Sequence, residues 1–123
     1  MSITTTIEQS KHLLELGLGI KSADMCLCKT AQDTWFLCAG TPGEYDAHTV
    51  PAWSLSALLE VMRKLNATIT LQIIGNSTFL RIKDNGFLWQ KDIHVKNPMD
   101  AVYGAMLWLL EQGLIKKGEQ DGQ

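Results

Sequence analysis

Thr68-Ile69-Thr70-Leu71-Gln72-Ile73-Ile74-Gly75-Asn76-Ser77-Thr78-Phe79-Leu80-Arg81-Ile82-Lys83 is the stretch that decides the fold. Its first half alternates polar and apolar side chains, the period of a strand with one face on a core and one in water. Gly75-Asn76 is a two-residue hairpin signal with glycine first, where the turn needs a positive φ. That loop length sets the register. Ile69 faces Ile82, Leu71 faces Leu80 and Ile73 faces Thr78, while Thr70 with Arg81 and Thr68 with Lys83 fall on the opposite face. The turn and the apolar pattern demand the same pairing, so the register is well specified.

Downstream, Asn85-Gly86 reads as a second two-residue turn and places Trp89 opposite Ile82. Phe87, Trp89, Lys91, Ile93 and Val95 then share one face, and Leu88, Gln90, Asp92, His94 and Lys96 the other. Lys91 interrupts the apolar face, which a strand edge or a bulge accommodates. Asn97-Pro98 opens a helix: Asn97 caps it, Pro98 suits the first helical position and Asp100 complements its positive end. From 99 to 110 only Asp100 and Gly104 are not clearly apolar, so this helix should be buried nearly all round. Gly113 ends it.

Upstream, Ser54 is an N-cap, with Trp53 and Leu58 placed as a hydrophobic staple. Leu55, Leu58, Leu59, Met62 and Leu65 form a stripe at helical spacing, and Asn66 can end the helix. Residues 25–30 and 34–39 are two short strands turning at Ala31-Gln32-Asp33, with Cys26 facing Cys38, Cys28 facing Phe36 and Leu27 facing Leu37. Thr5-Thr6-Ile7-Glu8 has the form of a capping box for a first helix to about Leu16, which Gly17 and Gly19 stop. Residues 40–50 read as an irregular loop, longer than an ordinary connection. The expected order is α-β-β-α-β-β-β-α: an α+β fold with a five-stranded antiparallel sheet and helices mainly on one face. It forms one domain over 1–116 with a frayed tail over 117–123.

The 123 residues are 46% hydrophobic and 20% charged, enough to bury a core. A net charge of −2 and scattered Lys and Arg argue against a dedicated nucleic-acid binder. No apolar run approaches a membrane span and no secretory signal opens the chain, so a cytoplasmic protein is expected. The three cysteines fit reduced thiols in that setting.

Motifs for chemistry are absent: no G-x-S-x-G, no phosphate-cradling glycine loop before Lys-Ser/Thr, and no G-x-G-x-x-G after a strand. A cysteine nucleophile with His94 and an Asp has no local signature around any cysteine. A metal on Cys26, Cys28 and Cys38 would need His94 or His48 as further ligands, and no C-x-x-C pair supports it. No cofactor is expected. Two places merit testing. Tyr103, Met106 and Trp108 lie on a helix whose apolar surface exceeds what a small core covers, which suggests a homodimer seam or a groove for a protein partner. Glu44, Tyr45, Asp46 and His48, with Trp53 adjoining, could instead form a ligand loop.

Ser22-Ala23-Asp24-Met25, Pro51-Ala52-Trp53-Ser54-Leu55-Ser56-Ala57-Leu58-Leu59, and Asn97-Pro98 with Asp100-Ala101 through Leu110-Glu111-Gln112-Gly113-Leu114 carry a resemblance. With the β region between them, the chain resembles small proteins of prophages and mobile elements of gut-dwelling anaerobic bacteria. The resemblance implies a bacterial or phage cytoplasmic protein and brings no catalytic residues. The leading expectation is a non-catalytic protein-interaction domain, bound to itself or to another protein. The alternatives are a small-molecule or enzymatic site at residues 40–50, and weak RNA binding across the sheet.

Overall fold

The computed structural model describes residues 3–40 and 46–115. Among the described residues it is an α+β fold of three α-helices, one 3-10 turn at Ile20–Ser22 and two three-stranded antiparallel sheets. In chain order these are α1 (Ile7–Glu15), β1 (Met25–Lys29), β2 (Trp35–Ala39), β3 (Thr49–Ala52), α2 (Leu55–Arg63), β4 (Ala67–Ile74), β5 (Ser77–Asp84), β6 (Gln90–Val95) and α3 (Pro98–Glu111). One sheet runs β2-β1-β3 and the other β4-β5-β6.

Two corrections to the expected order follow. A third strand precedes α2, and the strands form two separate sheets rather than one of five. The extra strand, β3, contains Pro51, which cannot donate to a ladder. Its position explains why it is tolerated. Lys29 N donates to His48 O at 2.8 Å, and bonded pairs alternate along an antiparallel ladder. Pro51 faces Cys26 two pairs farther along β3's ladder than Thr49 faces Cys28, at a site that exchanges no backbone bond with β1.

The β1–β2 register pairs Cys26 with Cys38, Leu27 with Leu37 and Cys28 with Phe36, as the sequence implies. The β4–β5 register likewise pairs Ile69 with Ile82, Leu71 with Leu80 and Ile73 with Thr78. Gly75 turns at φ 58, and Asn76 is not among the positive-φ residues, which is the type II′ arrangement. The β5–β6 register differs: Lys91, not Trp89, faces Ile82. Asp84 causes the shift by organising a longer loop. Its carbonyl accepts from Phe87 N at 2.9 Å, its Oδ2 accepts from Leu88 N at 3.1 Å, and its own N–H donates to Trp89 O at 2.9 Å. Phe87 takes φ 65 to complete the turn. A slip of two residues preserves the facing, so Trp89, Ile93 and Val95 still pack toward the core.

Caps explain the helix ends. Thr6, one residue later than expected, caps α1 in a reciprocal box with Gln9. Thr5 is occupied elsewhere: its hydroxyl meets Ser10 Oγ at 2.7 Å and accepts from Trp53 N at 3.1 Å. Gly17 (φ 97) and Gly113 (φ 73) close α1 and α3 in matching Schellman motifs, with Leu18 N bonded to Leu13 O and Leu114 N to Leu109 O. Asn97 caps α3 through Asp100 N at 2.9 Å.

α3 packs on β5 and β6, and α2 packs on α3. Met99, Ala101, Val102, Ala105, Met106, Leu109 and Leu110 of α3 are buried with Leu80 and Ile82 of β5, Leu58 and Met62 of α2, Leu13 of α1 and Trp53. The near-continuous apolar run of α3 is therefore the centre of the core. No helix among the described residues is long and apolar enough to cross a membrane.

Candidate functional site

The second sheet has one face on α3 and the other in solvent. The solvent face carries Thr70 and Gln72 from β4, Phe79, Arg81 and Lys83 from β5, and Gln90, Asp92 and His94 from β6. Cross-strand pairing puts Gln72, Phe79 and His94 in one row and Thr70, Arg81 and Asp92 in the next. The Phe79 and His94 rings pack at 4.7 Å with a 47° tilt, and the Arg81 guanidinium stands 5.5 Å over the Phe79 ring. Arg81 grips Asp92 through two hydrogen bonds, Nε–Oδ1 at 2.9 Å and Nη2–Oδ2 at 3.0 Å. That bidentate contact holds the Asp92 carboxyl below its ordinary range and raises the Arg81 guanidinium.

Beside this row the sheet forms an open groove of about 630 Å³ lined by Gln72, Ile74, Ser77, Phe79, His94 and Lys96 among others. The β4–β5 hairpin projects past the core here. Ile73 is 59% exposed although it lies on the core-facing side, and Ile74 is 71% exposed on the other. The strand alternation identifies most of this surface from sequence. Ile74 and Ser77 escape notice because they flank the turn, and only the tertiary packing shows that the hairpin outruns its cover.

A second constellation lies in the first sheet. Cys26 and Cys28 are two residues apart on β1 and share a face, and Cys38 faces Cys26 across β2. All three Sγ atoms lie within 4.8 Å of one another, with Cys26 and Cys28 at 3.8 Å. The thiols are free and partly accessible. Burial, reinforced by Cys28 and Cys38, pushes the Cys26 thiol up to about 11. The hydrogen bond with Cys28, then burial, raises Cys38. Both shifts oppose nucleophile activation, which needs a depressed thiol.

The other expected residues are placed as follows. Met106 is fully buried, so it belongs to the core and offers nothing to a partner; this corrects the expected α3 surface at its centre. Tyr103 and Trp108 are half-buried. Tyr103 OH shares a 3.2 Å hydrogen bond with His12 Nδ1, and Trp108 packs on Trp89 at 5.7 Å. Trp53 is also fully buried, with Nε1 donating to Ser22 Oγ at 2.9 Å, so it cannot line a ligand loop. Asp46 is exposed and its Oδ1 accepts from His48 N at 2.7 Å and Thr49 N at 3.0 Å, a turn that starts β3. His48 is exposed, and Glu44 and Tyr45 lie outside the described residues. Neither His48 nor His94 joins the cysteines.

Comparison of the chain with protein-family models, with curated proteins and with solved structures finds no match.

Proposed function

We propose that this protein is a non-catalytic interaction domain whose solvent-facing sheet β4-β5-β6 docks an acidic, leucine-bearing extended segment of a protein partner. The observation that carries the reading is the groove beside Phe79 and His94, where an apolar floor meets Lys96 at the end of an over-long hairpin. Lys96 lines the groove and Lys83 shares its face, where Arg81 is held by Asp92, although the whole chain carries a net charge of −2. Ile74, 71% exposed and lining the groove, supplies apolar contact that a solvated face does not need. An apolar groove edged by a lysine on an acidic protein favours an acidic segment with apolar anchors through charge complementarity.

Single-stranded RNA is the competing occupant of the same face. RNA-binding sheets offer ring faces on which bases stack. Here Phe79 and His94 are packed on each other, Arg81 is committed to Asp92, and the rim is aliphatic. These features favour the peptide.

The test is amide chemical-shift mapping of the full chain with a short glutamate-rich peptide bearing interspersed leucines, with its lysine-rich counterpart, and with oligouridine. The acidic peptide should move Gln72, Phe79, Arg81, His94 and Lys96, and Phe79→Ala and Lys96→Glu should each abolish the shifts. Oligouridine shifting the same residues with steep salt dependence would assign the face to RNA instead. An acidic peptide that moves none of them overturns the reading.

A further inference from the structure

We propose that Cys26, Cys28 and Cys38 form a three-thiolate site for a soft monovalent metal ion, for which copper(I) is the fitting probe. Alternation puts Cys26 and Cys28 on the same face, and the β1–β2 register brings Cys38 beside them. An ion bound trigonally with metal–sulfur bonds of roughly 2.3 Å holds its sulfurs about 4.0 Å apart. One pair already stands at 3.8 Å and no pair exceeds 4.8 Å, so closure requires adjustments of side-chain torsion rather than of the strands. Two adjacent strands also hold the ligands on a rigid support, as a preorganised site requires.

Ligand chemistry selects the ion. Thiolates prefer copper(I), zinc and iron–sulfur clusters over hard cations. Structural zinc takes four protein ligands, and among the described residues no His, Asp, Glu or further Cys joins the three sulfurs. A three-sulfur set with no fourth partner among the described residues suits a trigonal ion. The absence of a C-x-x-C pair does not count against this arrangement. That spacing belongs to ligands on a tight loop, whereas here the pleat and the cross-strand pair supply the convergence.

Loading replaces three S–H bonds by three metal–sulfur bonds. One copper(I) enters, three protons leave, and no electron moves. Because the ligands bind as thiolates and each must shed a proton, affinity should climb with pH.

The experiment is an anaerobic titration of the reduced full chain with copper(I) supplied as its bicinchoninate complex, with thiols counted by a disulfide reagent. The protein should withdraw one equivalent from the chelator and pass from three reactive thiols to none. Cys28→Ser and Cys38→Ser, with folding checked by circular dichroism, should each weaken binding beyond the roughly 10–100-fold expected for losing an outer-sphere partner. Failure of the wild-type chain to withdraw copper(I), or thiols that still react at one equivalent, overturns the proposal. Zinc(II) protecting all three thiols where copper(I) does not would overturn it equally.

Discussion

Asp24 holds both hydrogen-bond donors of Ser54: its Oδ1 accepts the Ser54 backbone N–H at 2.9 Å and its Oδ2 accepts the Ser54 hydroxyl. Ser54 in turn caps α2 through Ala57 N at 3.1 Å. In an ordinary capping box the third helical residue reaches back to the cap. That residue here is Ala57, and a carboxylate from the segment before β1 takes its place. Asp24→Ala should therefore destabilise the fold by about 1–2 kcal/mol, the cost of a lost cap contact. Urea unfolding followed by far-ultraviolet circular dichroism measures it, and an unchanged midpoint would refute the link.

Ser22 serves Trp53 in a comparable way. The indole is fully buried and its N–H reaches Ser22 Oγ. Ser22→Ala leaves that donor without its partner, at a cost of about 1–3 kcal/mol. Trp53 fluorescence should shift along with the lower unfolding midpoint; a variant as stable as the parent would show that another acceptor is within reach.

Position 104 and position 106 of α3 should respond in opposite directions. A Cβ on Gly104 would meet Ile93 Cδ1 at 3.5 Å, ordinary contact distance. Gly104→Ala should stabilise by about 0.5–1 kcal/mol through helix propensity. Met106→Ala opens a cavity in the core and should cost about 2–5 kcal/mol. Chemical denaturation of the two variants decides whether α3 is central: a neutral Met106→Ala would place that residue at the surface.

Cys26 predicts a pH dependence on the alkaline side. An unfolded chain ionises its thiol near about 8.5, whereas the folded one holds it to about 11. Below the first value both states are protonated and the full stability is present. Between the two values the unfolded state loses its proton first, so stability falls as pH rises through the window. Urea midpoints from pH 8 to pH 11 should decline more steeply for the wild-type chain than for Cys26→Ser. Parallel declines would mean that the thiol is not held up.

Much of this architecture is legible locally. The Ile69–Ile82 register follows from alternation and turn length, whereas the Cys26–Cys38 pairing is one that the sequence permits and the structure decides. The caps at Ser54 and Asn97 follow from residue type. The departures arise where a side chain is claimed by something distant in sequence. Thr5 yields the cap of α1 to Thr6 because Trp53 N and Ser10 take its hydroxyl. The β5–β6 turn lengthens because Asp84 folds over it, and Gly86 leaves room for that carboxylate, since a Cβ there would lie 3.1 Å from Asp84 Oδ2. β3 is hidden by Pro51, whose missing donor is harmless at its place in the ladder.

By itself, then, the sequence determined the helices, the β4–β5 hairpin with its register, and which side chains share a face, because those depend on period, turn chemistry and caps within a few residues. Tertiary structure alone decided that the strands divide into two sheets, that Met106 and Trp53 vanish into the core while Ile73 and Ile74 stay exposed, and how closely the three sulfurs approach. Those outcomes depend on which elements cover which, and coverage is a competition among surfaces far apart in the chain that no local pattern encodes.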